Sequence, residues 1–85
     1  PLRRLPALKR LYLSYTNITD VGLLYLKDNA TCEGLELSHT RVTNAGLKYL
    51  YTLKGLVGLN LKGTRVTAVG IKGLQQALPK CRVAL

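Results

Sequence analysis

The chain has 85 residues, 47% of them hydrophobic, with no Met, Trp or Phe, and 13 basic against 4 acidic side chains give a net charge of +9. That length allows one domain, and no run approaches the roughly 18–20 apolar residues of a bilayer-crossing helix, which argues against a membrane span. The charge fits either a surface that draws acidic partners, phosphate or anionic lipid, or a fragment whose acidic half lies elsewhere in its parent.

Residues 1–10 read as a partial repeat. Leu5 and Leu8 occupy the slots that Leu53 and Leu56 fill later, and the chain opens on Pro1 inside a pattern already running. The expectation is a piece cut or processed from something longer. Arg3 and Arg4 resemble a basic signal-peptide start, but Lys9 and Arg10 interrupt any apolar stretch after them.

Three full units follow, over 11–34, 35–58 and 59–82, and a terminal strand over 83–85. Leu11, Leu35, Leu59 and Val83 are spaced by 24 residues, as are Leu13, Leu37, Leu61 and Leu85. A fixed period of roughly 20–50 residues marks a solenoid, in which each unit buries its apolar face against its neighbours.

Within a unit, Leu35-Glu36-Leu37 alternates apolar and polar, the pattern of a strand with one buried face, and the equivalent triplets predict a parallel ladder. Thr16, Thr40 and Thr64 sit where the chain must bend inward, their hydroxyls free to bond backbone groups that no ladder satisfies. Val42 returns to the core, and Thr43 is an expected helix N-cap. Asp20 suits the positive end of its helix, a help expected not to recur at Asn44 or Ala68. A short helix carries Leu47, Leu50 and Leu53. The recurrent Gly22, Gly46 and Gly70 need a reason, since glycine costs roughly 1 kcal/mol in a helix. Close packing of the helix start on the strand layer is the simplest.

Cys32 takes a core slot, and Cys81 lies one place off it. Two repeats separate them by about 10 Å, beyond the reach of a disulfide. Nothing demands an oxidising compartment; the location stays open, with the cytoplasm favoured.

The chain carries little that could do chemistry. His39 is the sole histidine, and its candidate catalytic partners diverge: Cys32 inward, Glu36 outward. The acids lack metal-binding spacing, and the glycines form no phosphate loop. The expectation is no enzyme, no metal and no cofactor. Asn17-Ile18-Thr19 and Asn29-Ala30-Thr31 match the glycosylation pattern and read as chance. Arg41 with Arg65, and Lys48 with Lys72, form basic columns, but aromatic platforms for nucleic acid are few, so nucleic-acid binding is unexpected.

The strings LYLSYTNITDVGLLYL, LELSHTRVTNAGLKYL and LNLKGTRVTAVGIKGL resemble leucine-rich repeats. They are similar to the LxLxxTxVTDxGLxxL subtype of bacterial repeat proteins, related to the cysteine-containing repeats of F-box receptors. Departures are Cys32 and Lys80 in place of leucine, and Asn29 at an apolar position. The resemblance implies an α/β, right-handed solenoid, with parallel strands on the concave side and short helices on the convex side. It also implies protein–protein recognition through the strands.

The positions that do not repeat are then the candidate contact surface: Arg10, Tyr12, Ser14, Tyr15, Glu36, Ser38, His39, Asn60, Lys62 and Arg82. Tyr12, Tyr15 and Arg10 lead, because aromatic and Arg residues dominate binding hot spots. The partner is expected to be a protein. The alternatives are a structural segment that self-associates head to tail, and a basic module for acidic surfaces or nucleic acid.

Overall fold

A computed structural model describes residues 9–28 and 31–85. The slots of Leu5, Leu8, Arg3, Arg4 and Asn29 lie outside the described residues. Four three-residue strands, β1 (Arg10–Tyr12), β2 (Gly34–Glu36), β3 (Gly58–Asn60) and β4 (Arg82–Ala84), form one parallel sheet in the order β1-β2-β3-β4. Leu11 pairs with Leu35, Leu35 with Leu59 and Leu59 with Val83, so the 24-residue period is the register of the sheet. The ladder runs one bond beyond each strand: the Leu13, Leu37 and Leu61 amides donate to the carbonyls of Glu36, Asn60 and Ala84.

Between strands lie α1 (Asp20–Leu24), a 3-10 helix (Asn44–Leu50) and α2 (Ala68–Ala77). The middle unit is not α-helical, a departure from the pattern of its neighbours. Three residues per turn stack Leu47 and Leu50 on one line. The same i to i+3 turns continue, with the Leu53 amide bonding the Leu50 carbonyl and the Leu56 amide that of Leu53. All four leucines are buried, so this segment aims one side chain per turn into the core.

The core runs through the stack between sheet and helices. Leu35, Leu37, Val42, Leu47, Leu50 and Leu53 of the middle unit are fully enclosed, whereas Leu11, Leu13, Ile18, Ile71 and Val83 in the flanking layers are only partly buried. Cys32 is 2% exposed in its leucine slot. At the other slot Lys80 is exposed and Cys81, one residue on, turns inward instead. Both cysteines are free thiols.

The bend threonines do as their spacing suggests. The hydroxyls of Thr16, Thr40 and Thr64 each donate to the carbonyl three residues back, at Leu13, Leu37 and Leu61, all at 2.7 Å. Thr43 accepts a cap bond from the Ala45 amide at 3.3 Å, but Thr19 and Thr67 make no such bond.

Two expectations are corrected. Asp20 does not serve its own helix alone: its carboxylate accepts from the backbone amide and the hydroxyl of Thr43, in the next unit. Asn44 repeats this on Thr67, its Oδ1 accepting the amide and its Nδ2 donating to the hydroxyl, both at 2.9 Å. Ala68, with only a methyl group, has no polar atom to extend the series. The second correction concerns the glycines. A Cβ at Gly46 would collide with the Asp20 carboxylate, and one at Gly70 with the Asn44 amide. At these two positions the space is kept for the preceding unit's bridging side chain, whereas a Cβ at Gly22 would meet the Ile18 side chain of its own unit.

Candidate protein-binding face

Alternation along three-residue strands sends the middle leucine into the core and the flanking side chains outward. Strand register then sets these outward residues in rows. One row is Arg10, Gly34, Gly58, Arg82; the next is Tyr12, Glu36, Asn60, Ala84. The Arg10 side chain lies over Gly34, and the space above Gly58 is open.

Tyr12 is 71% exposed, whereas Glu36, Asn60 and Ala84 in the same row are half-buried. The Asn60 Nδ2 donates to Glu36 Oε1 at 2.9 Å, while Asn60 Oδ1 accepts from the Lys62 amide at 3.1 Å. Two middle side chains are thereby fixed in place, and the flanking Arg10, Lys62 and Arg82 are exposed.

The turn after each strand carries a second column. Tyr15, His39 and Gly63 all take left-handed backbone conformations, with φ of 62°, 55° and 73°. Such angles are uncommon outside glycine and mark a tightly specified turn. The Tyr15 and His39 rings stack with centroids 4.6 Å apart and planes 16° from parallel. On its other side the imidazole occupies the space a Cβ at Gly63 would need. His39 therefore has one face against Tyr15 and its edge over Gly63. It meets neither Cys32, buried in the core, nor Glu36, engaged by Asn60.

One expected contact residue is misplaced. Ser38 is buried at 9% exposure, its amide and hydroxyl both donating to the hydroxyl oxygen of Ser14, at 3.1 and 2.8 Å. The pair ties two units together beneath the surface. The left-handed turn recurs in every unit and leaves Lys62 exposed, so what sets Ser38 apart is a small hydroxyl side chain with a like partner, Ser14, one layer away. The other nine positions are exposed or half-buried.

Burial raises both cysteine thiols above their ordinary pKa; for Cys32 the Gly34 carbonyl and the charge of Glu33 are lesser influences, of opposite sign. Among the described residues no three His, Cys, Asp or Glu side chains group as a metal site, and no helix is long and apolar enough to cross a membrane.

A signal the periodicity leaves aside is the distribution of charge. All four acids precede residue 37, and residues 37–85 carry eight Lys and Arg without one Asp or Glu.

A family model described as leucine-rich repeat matches residues 5–27. Among solved structures, a leucine-rich-repeat protein of Leptospira interrogans matches with a TM-score of 0.77 at 20% identity. The match covers 99% of this chain and 21% of that one, so the chain spans about a fifth of that protein's length. No curated protein matches the sequence. Together with the sheet register, these likenesses identify the fold of the chain as an α/β leucine-rich-repeat solenoid.

Proposed function

We propose that the chain is a protein-binding scaffold that uses the concave, strand-side face. The observation carrying this reading is that one face of a rigid, in-register sheet presents a different side chain at every step, Tyr12, Glu36, Asn60 and Ala84, over a core that repeats. Leucine-rich-repeat domains act in general as protein-interaction scaffolds. Tyr12, with Arg10 beside it, supplies the kind of aromatic and guanidinium anchor on which binding energy concentrates. Neither is needed by the core, so both are available to a partner.

Panning a random peptide library on the immobilised chain tests this. Enriched peptides should lose binding to Tyr12→Ala and keep it for Gln75→Ala, an exposed position on α2. Enrichment indifferent to Tyr12 would sink the concave-face reading.

A further inference from the structure

The eight cations of residues 37–85 lie in a stretch that holds no Asp or Glu of its own. Two of them converge. Arg41 and Arg65 share one phase of the repeat, on the turns entering the 3-10 helix and α2, and with Thr43 they line a single open, polar concavity. Their backbones are pinned to the preceding unit, the Arg41 amide on the Ile18 carbonyl at 3.0 Å and the Arg65 amide on that of Val42 at 3.2 Å. Both side chains are exposed, as are Lys48 and Lys72 at a second shared phase. Successive repeats set such columns about 5 Å apart, a spacing at which like charges repel unless an anion sits among them.

The acid nearest this concavity is Asp20, and both its oxygens face the amide and hydroxyl of Thr43. The Thr43 proton is committed to that bond, so an incoming anion would be held by the guanidiniums alone. Guanidinium forks match carboxylates in bidentate geometry.

We propose that this flank docks an acidic peptide segment of a partner protein, with a carboxylate seated between Arg41 and Arg65. The surface is separate from the strand-side face and stands independently of it. Single-stranded nucleic acid fits less well, because it stacks bases on exposed aromatics set among the cations. The widely exposed tyrosines, Tyr12, Tyr15 and Tyr25, all belong to the first full unit, outside the acid-free stretch.

Fluorescence anisotropy on the full chain provides the test. The probe is a labelled peptide of alternating Glu and Gly, with its Gln and Gly counterpart and an oligonucleotide of equal charge beside it. The Arg41→Gln, Arg65→Gln double variant should weaken binding of the Glu peptide by about tenfold or more. Lys62→Gln with Arg82→Gln removes the same charge from the strand side and should cost less than about threefold. Circular dichroism should be unchanged in both, since all four side chains are exposed. Equal losses in the two doubles would reduce the effect to diffuse attraction and overturn the site. So would the absence of Glu-peptide binding at low salt, or tighter capture of the oligonucleotide with the same Arg41 and Arg65 dependence. Loss of the Tyr12-dependent library binding would leave this result untouched.

Discussion

Asp20 and Thr43, 23 residues apart, are joined twice: one carboxylate oxygen accepts the Thr43 amide at 2.7 Å and the other its hydroxyl at 2.5 Å. The bond fixes the start of one unit's helix with a side chain from the unit before it. Hydrogen bonds to a charged acceptor contribute about 1.5–3 kcal/mol, so Asp20→Ala should lower stability by about 2 kcal/mol, whereas Asp20→Asn should recover much of it, as Asn44 does one repeat later. Urea titration followed by circular dichroism measures both; a neutral Asp20→Ala would show the bridge to be incidental.

Gly46 and Asp20 should be energetically coupled. Gly46→Ala places a methyl group against the Asp20 carboxylate and should destabilise by about 1–3 kcal/mol. With Asp20 already shortened to Ala the carboxylate contacts are gone and only its Cβ, 2.9 Å away, remains, so the same change should cost about 1 kcal/mol less than in the parent. A double-mutant cycle that sums additively would contradict the packing described.

Core truncation should hurt most in the middle unit. Leu50→Ala removes a fully enclosed side chain and should cost about 2–5 kcal/mol. Leu11→Ala acts on a half-buried position and should cost less than half as much. Comparable midpoints in denaturant for the two variants would show that the layers do not differ in enclosure.

The stack of Tyr15 on His39 predicts a modest loss on removal. Tyr15→Gly gives up an aromatic pair worth about 0.5–1.5 kcal/mol but relieves a left-handed backbone that glycine adopts freely, so the net change should be small. Tyr15→Val loses the ring and keeps the strain, and should be the less stable by about 1–2 kcal/mol. Thermal melts of the pair decide it.

The thiols carry a pH dependence. Cys32 and Cys81 hold their protons more tightly when folded than at the ordinary value of 9.0. Above that pH the unfolded chain ionises first, so the contribution is full below it and stability falls as pH rises through it toward the folded values. Alkylation at pH 8 should be slow in the native state and fast in urea. The Cys32→Ala, Cys81→Ala chain should lose less stability between pH 8 and 10 than the parent; an identical loss would exclude the thiols as its source.

Much of the fold is legible in the residues because a solenoid makes sequence separation and spatial adjacency the same thing. Leu11, Leu35, Leu59 and Val83 recur at 24 residues, and the sheet pairs them in that order. The bend threonines and the inward Cys32 follow from the same alignment. Ser38 was not legible: its position in the unit marks it as outward, and only its pairing with Ser14 across the layers holds it in. The segregation of charge, by contrast, stands in plain view along the chain and has no period to draw attention to it.

The sequence by itself determined which residues are equivalent, and so the register, the core and the row of outward positions. Tertiary structure alone decided what reaches across between equivalent layers: Asp20 to Thr43, Asn44 to Thr67, Tyr15 over His39, and the glycines that leave them room. Periodicity specifies where a backbone position lies in the stack. The direction and reach of each side chain depend on local dihedral angles and on the space its neighbours leave, and those exist only once the layers are packed.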